Sequence, residues 1–217
     1  MPEVTFDWEV SDRAVSEIGG RLIEDFVLRR IPHIAETLQD RHSRSLAVTV
    51  PITGRTIEDF RFVTTHDSFN VELLVDVKGH NQQRRGSRPN LASIRKCIEF
   101  YSDPQLVHQE IVIFFCRYEP RVQRGNNRTQ LIYEVLPRSF DEQHVIPLRW
   151  LGRANLDPGN IGSGGLILLA RESNLITERR SREEFVILLQ TLEQHLRERS
   201  ANPTLNTDAR GRAARAG

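Results

Sequence analysis

Lysine is almost missing from this chain. Of 30 Lys plus Arg residues, only Lys78 and Lys96 are lysines and the other 28 are arginines. Cysteine is scarce too: Cys97 and Cys116 stand alone in apolar contexts, which excludes a disulfide framework and any Cys-based zinc spacing and leaves two small buried thiols. The longest apolar run, IVIFFC at 111–116, is far too short to span a bilayer. The start, MPEVTFDWEVSDR, is acidic and has no apolar core of the kind a secretory signal needs, so a cytoplasmic protein with no membrane partner is expected. There is no GxxxxGK(S/T) phosphate loop, no HExxH and no GxSxG. GSGG at 162–165 precedes a strand-like run rather than a helix, which argues against a dinucleotide cradle.

What is present fits one domain of ordinary size over residues 1–199, followed by a small, polar stretch at 200–217 that is expected to be disordered. The 217 residues are 38% hydrophobic and 27% charged, with a net charge of +1. The charge is unevenly placed. Residues 1–40 hold nine acids against four arginines, whereas residues 79–98 hold five Lys/Arg and no acid. A local basic block in a neutral chain points to a specific anionic ligand.

Hydrophobic periodicity predicts a helix over 12–31, capped by Ser11 and stopped by Pro32, with Val15, Ile18, Leu22, Ile23, Phe26 and Val27 as its apolar stripe. Strands are expected at 46–50, 60–65, 70–78, 110–119, 131–137 and within LILLA at 166–170. Helices are expected at 91–102 and 181–199, and polar loops at 80–89, 121–130 and 153–165. Helices flanking a mixed sheet give an α/β domain.

The segment NVELLVDVKGH, from Asn70 to His80, reads as a core strand that ends with Asp76 and Lys78 on one face, since side chains two apart on a strand point the same way. If HDSF forms a tight hairpin centred between Asp67 and Ser68, paired residue numbers sum to 135 and Asp59 opposes Asp76. Opposed Cβ atoms on an antiparallel pair are about 4.5–5.5 Å apart. Two carboxylates that close repel unless a proton or cation lies between them, and a hard divalent cation such as Mg²⁺ suits them. Lys78 on the same face can hold a water or neutralise charge on an attacked phosphate. An ammonium is a compact, tunable donor that a guanidinium cannot replace. The competing reading of these residues alone is a surface salt bridge at a strand end.

The order of these residues resembles the PD-(D/E)xK nuclease superfamily. IEDFRF followed by LLVDVKG is similar to the strand pair that carries that family's active site, with Glu58-Asp59 where Pro-Asp is usual. GGRLIEDFV resembles the family's Gly-Arg…Glu helix, and RPNLASIRK resembles the segment after the catalytic lysine in type II restriction endonucleases. GNIGSGGLILL resembles the Gly-rich element before a late strand in many such enzymes. The resemblance implies a restriction-endonuclease-like mixed central sheet flanked by helices. It also implies Mg²⁺ on Asp59, Asp76 and the Val77 carbonyl, with Lys78 serving the water. Glu24 would then lie near the site as an auxiliary residue, although the helical wheel puts it about 160° from the centre of the apolar stripe, a solvated position. Glu72 is read as solvated or structural.

The basic block supplies candidates for a DNA contact. Arg84, Arg85 and Arg88, interleaved with amides and followed by Asn90 and Ser93, are types that read purine edges or clamp phosphates. RVQRGNNR at 121–128 repeats that composition. The leading expectation is a type II restriction endonuclease that cuts double-stranded DNA at a short palindromic site. Such an enzyme implies a cognate DNA methyltransferase in the same system. One active centre per chain further implies a homodimer matching the two-fold symmetry of the site. A repair or structure-specific nuclease of the same fold, or a non-catalytic DNA-binding module, are the alternatives.

Overall fold

The computed structural model describes residues 3–6, 11–31, 46–51, 57–66, 69–81, 83, 90–125, 128–135, 145–159, 165–168 and 176–201. The strands are β1 (Glu3–Phe6), β2 (Leu46–Thr49), β3 (Phe60–His66), β4 (Phe69–Asn81), β5 (Asn90–Ser93), β6 (Gln109–Gly125), β7 (Arg128–Val135), β8 (Val145–Pro147), β9 (Leu156–Asp157) and β10 (Gly165–Leu168). The helices are α1 (Asp12–Leu28), α2 (Ile94–Ser102) and α3 (Arg182–Ala201). The main sheet runs β1-β7-β6-β4-β3-β2, with β8 also paired to β6, and a small sheet runs β5-β10-β9. Among the described residues of the main sheet, β4 and β6 form the one parallel pair. A parallel pair requires a long crossover, and β5 and α2 lie within it. The result is a mixed α/β fold, and among the described residues no helix is long and apolar enough to cross a membrane.

The two faces of β4 divide the core. Val75 and Val77 pack with Val27, Ile31, Phe60 and Val112, and Val15 and Ile23 of α1 pack with Cys116, Tyr118, Leu131 and Tyr133. Leu74 faces the other way, with Ile111, Ile113 and Phe115 of β6 against Cys97 and Phe100 of α2 and Phe185, Leu189 and Leu192 of α3. Arg182 ties that second layer together by donating to the carbonyls of Phe100 (2.7 Å), Tyr101 (3.3 Å) and Gln109 (3.0 Å). α1 covers one face of the sheet and α2 and α3 cover the other.

α1 approaches the sheet unusually closely. Ser11 caps it, accepting from the Ala14 N–H at 3.3 Å. A Cβ on Gly19 would fall 2.6 Å from the Tyr133 ring and 2.7 Å from the Tyr118 hydroxyl, and a Cβ on Gly79 of β4 would fall 3.3 Å from the Gly20 Cα. The glycines therefore let the helix backbone lie almost on β4.

Several expectations need correction. The predicted helix at 91–102 begins only at Ile94, because Asn90–Ser93 pairs as β5 and Ser93 is the cap, accepting from the Lys96 N–H at 3.2 Å. The loop expected at 121–130 is mostly strand: β6 runs on to Gly125 and returns as β7 from Arg128. β4 extends through His80 and Asn81, within the expected polar loop, and β1, β8 and β9 fall outside the expected strands. The last helix reaches Ala201, and the tail expected beyond it lies outside the described residues.

Gly19→Ala is expected to cost about 1–3 kcal/mol by overpacking against the two tyrosines. Gly20→Ala, where an added Cβ meets nothing within 4 Å, is expected to be neutral or to stabilise the helix by up to about 1 kcal/mol. Chemical denaturation of the two variants beside the parent measures the contrast, and equal costs at both positions would contradict this packing.

Candidate active site

The β3–β4 register is the one expected from the hairpin: Thr65 pairs with Asn70 and Phe60 with Val75. β3 ends there, while β4 continues from Asp76 to Asn81 with β6 on its other side. Asp59 occupies the gap left by the missing strand. Its N–H donates to the Val75 carbonyl at 2.8 Å, and its Oδ2 accepts from the Val77 N–H at 2.7 Å. The N–H and C=O of one strand residue point to the same edge, so the Val77 carbonyl is directed to the side where Asp59 lies.

Asp76 and Lys78 project from the opposite face to Val75 and Val77, under the start of α2. The Lys78 Nζ is 2.6 Å from the Asp76 Oδ1. Asp76 is only 3% exposed. Burial is the main cause that pushes its carboxyl up to about 7, with Asp59 and Glu24 adding to the rise and Lys78 opposing it. The pocket above it, about 210 Å³, is lined by Ile57, Asp76, Lys78, Leu91, Ala92, Ser93 and Lys96. Both lysines of the chain therefore face one pocket beside one buried carboxylate.

Glu24 corrects the helical-wheel expectation. It is half-buried, and its carboxyl is pushed up first by burial and then by Asp59, against Lys78 and Arg21. Gly20 precedes it by four residues, one helical turn, and is the α1 residue whose backbone lies against Gly79 of β4. The contact face of α1 thus includes its glycines, which a count of apolar side chains passes over.

The remaining candidates divide. Ser93 lines the pocket, whereas Asn90 is exposed in β5, where its partner is Ile167. Arg84, Arg85 and Arg88 lie outside the described residues, as does Asp67. Glu58 is buried and ion-paired to Arg61 at 2.7 Å, and Glu72 accepts from Arg61 and Gln109, both at 3.0 Å, which makes these two acids structural. Lys96, the other lysine of the chain, has no site role in the sequence reading. Its place in the first turn behind a serine cap was the available signal. Cys97, beside Asp76, has its thiol pushed up to about 12 by burial, so it is no nucleophile.

Among the described residues no three His, Cys, Asp or Glu side chains are grouped as a metal site by themselves. A cation here would use the two carboxylates Asp59 and Asp76, the Val77 carbonyl and water, a hard oxygen set that suits Mg²⁺. The electrostatics fit this. Asp59 raises the charging cost of both Glu24 and Asp76, Glu24 adds to that of Asp76, and Lys78 opposes the rise at both.

The folded value of Asp76, about 7, lies above the ordinary 3.8, so between those values the folded chain holds a proton that the unfolded chain has released. Stability contributed by this group is full at low pH and is lost as pH rises towards about 7. In EDTA, urea midpoints are expected to fall between about pH 4 and about pH 7, and Asp76→Asn is expected to flatten that fall. A variant that loses stability as steeply as the parent would show that another group governs it.

Comparison with protein-family models and with curated proteins finds no match to this chain, so its functional reading stands on the geometry of Asp59, Asp76, Lys78 and Glu24.

Proposed function

We propose that the chain is a Mg²⁺-dependent endonuclease of the PD-(D/E)xK kind, with a restriction-endonuclease-like fold. It would hydrolyse phosphodiester bonds in double-stranded DNA at a short palindromic site, as type II restriction enzymes do. The observation that carries the reading is the strand end itself. Asp59 and Asp76 both lie just beyond the last β3–β4 pair, Phe60–Val75, and Lys78 is ion-paired to Asp76. A surface salt bridge does not account for this, because Asp76 is 3% exposed and two further acids act on it.

Bound Mg²⁺ would supply Lewis-acid stabilisation of the charge that develops on the phosphate. The residues of the chain have separate tasks. Asp59 is oriented by the Val77 N–H, so one of its oxygens is fixed and the other is left for a ligand. Lys78 can donate to the attacking water or to a non-bridging phosphate oxygen once the Asp76 charge is shared with a cation. Lys96 and Ser93, in the lining of the same pocket, offer donors to the same phosphate or its neighbour. Water attacks phosphorus, the bond to the leaving oxygen breaks, and the proton released by the water must pass to a nearby base or to solvent.

Asp76→Ala and Lys78→Ala are each expected to lower cleavage of plasmid DNA by roughly 10³-fold or more while leaving DNA binding largely intact. Asp59→Asn is expected to be inactive and Asp67→Asn nearly silent. Cleavage by either Ala variant at near the parent rate would overturn the assignment. Discrete fragments in Mg²⁺, absent in EDTA, mark a restriction enzyme, and nicks or smears mark another nuclease.

One centre per chain calls for two chains to cut both strands of a palindrome. Light scattering is expected to give, on DNA, a complex whose protein part is about 50 kDa, twice the 25.0 kDa chain, with the mass of the DNA added to it. A monomer both free and on DNA would favour a nicking or repair enzyme.

A further inference from the structure

The face of β4 that carries Asp76 and Lys78 does not stop at the site. In the parallel β4–β6 register Asp76 pairs with Ile113, Lys78 with Phe115 and His80 with Arg117. By the two-residue alternation of strands, Arg117, Glu119, Arg121 and Gln123 continue the same face along β6. Across the β6–β7 pair, Gln123 meets Gln130 and Gly125 meets Arg128, and on the sheet edge Thr5 of β1 meets Gln130. One sheet face therefore leads from the candidate active site to the tip of the β6–β7 ribbon.

The composition of this face changes along its length. Near the site it is covered by α2 and α3, and Ile111, Ile113 and Phe115 are buried there. Beyond Arg117 it becomes polar: Glu119, Arg121 and Gln123 of β6 lie there with Arg128, Gln130 and Glu134 of β7, and the two arginines towards the tip, Arg121 and Arg128, are on this face while Arg124 is on the other. Arg121, Gln123, Arg124 and Arg128 are exposed, and Arg121 is ion-paired to Glu134 across the ribbon. A hollow of about 400 Å³ at the tip is lined by Thr5, Gln123, Arg124, Gly125, Arg128 and Gln130. Not one of these is an apolar side chain, which argues against a protein partner, since protein interfaces are built around apolar or aromatic anchors. Between the site and the ribbon, His80 is only 9% exposed and its Nδ1 has no hydrogen-bond partner among the described residues. A buried polar atom without a partner on such a path calls for a ligand or water to satisfy it.

Distance sets the length of duplex that would reach the ribbon. From the level of Lys78, at Phe115, to Gln123 is eight residues of strand, about 26 Å. Duplex DNA rises about 3.4 Å per base pair, so the ribbon tip lies about eight base pairs from the scissile phosphate.

We propose that the site face of the β6–β7 ribbon is a second DNA contact. In this reading the duplex cut at Asp59, Asp76 and Lys78 continues along β6, and phosphates about six to ten base pairs away, centred on the eighth, meet Arg121 and Arg128, with the amides of Gln123 and Gln130 beside them. The contact is to backbone phosphates, so it extends the footprint and strengthens binding without choosing the sequence. The proposal rests on the nuclease reading and adds to it a place and a length of DNA.

The test uses the full chain and a 30-base-pair duplex, with EDTA present so that no cutting occurs. Fluorescence anisotropy across a salt series compares the parent with the double variant Arg121→Gln, Arg128→Gln. The variant is expected to bind about tenfold or more weakly at moderate salt, with its salt slope smaller by about two per bound subunit. The charge-retaining pair Arg121→Lys, Arg128→Lys is expected to restore both, which separates lost contact from lost folding. In Mg²⁺, the double Gln variant is expected to keep its cleavage rate at saturating DNA. Hydroxyl-radical footprints of the parent should extend about eight base pairs past the cut and shorten in the double Gln variant. If the parent binds and cuts DNA while the double Gln variant keeps the parent's affinity, slope and footprint, the ribbon proposal fails and the nuclease reading stands. If the parent itself binds no DNA, both fail together.

Discussion

The candidate site depends on one mismatch of strand lengths. β4 runs six residues beyond its last partner on β3, and Asp59, the residue just before β3, fills the vacated hydrogen-bonding edge with its own N–H and carboxylate. Had β3 continued, Asp59 would be one more ladder residue, and the edge of Val77 would be closed. Because it stops, a backbone N–H that would otherwise be orphaned finds a carboxylate acceptor, and a carbonyl is aimed at the same place. The hydrogen bonds that satisfy a strand end are the ones that orient the acid.

The layers on either side of the sheet then supply the rest. From one face, α1 comes close enough through Gly19, Gly20 and Gly79 for Glu24 to act on Asp59 and Asp76. From the other, the start of α2 closes a pocket over Asp76 and Lys78 and adds Ser93 and Lys96. Burial in this arrangement is costly for carboxylates, and a single ammonium offsets only part of it, which is why Asp76 is pushed up to about 7. Acids kept together in one poorly hydrated space repel unless a proton or a cation shares their charge.

Much of this was legible in the residues, for identifiable reasons. The register at Asp59 and Asp76 could be derived because a two-residue turn fixes every pair along the hairpin. α1 and α3 followed from helical periodicity, and Phe185, Leu189 and Leu192 are buried at that spacing. Polar stretches misled where backbone pairing alone made the structure. RVQRG has no apolar alternation and yet continues β6, because β7 supplies hydrogen-bond partners that a local pattern does not reveal. Asn90–Ser93 pairs with β10, more than 70 residues away in sequence, and so read as the start of a helix.

By itself the sequence determined the chemistry on offer: an acid before a strand, Asp-Val-Lys at the end of the next, two lysines among 28 arginines, and a glycine pair one turn before Glu24. These are local facts of spacing and residue type, and strand and hairpin geometry turn them into positions. Only the tertiary structure decided which groups share a space. That Glu24 faces the carboxylates, that Lys96 joins Lys78 over Asp76, and that the ribbon arginines lie on the face of the site all follow from how helices and distant strands pack on β4 and β6. The reason is physical: close helix–sheet approach and parallel pairing join residues far apart in the chain, and neither leaves a periodic mark in the residues it brings together.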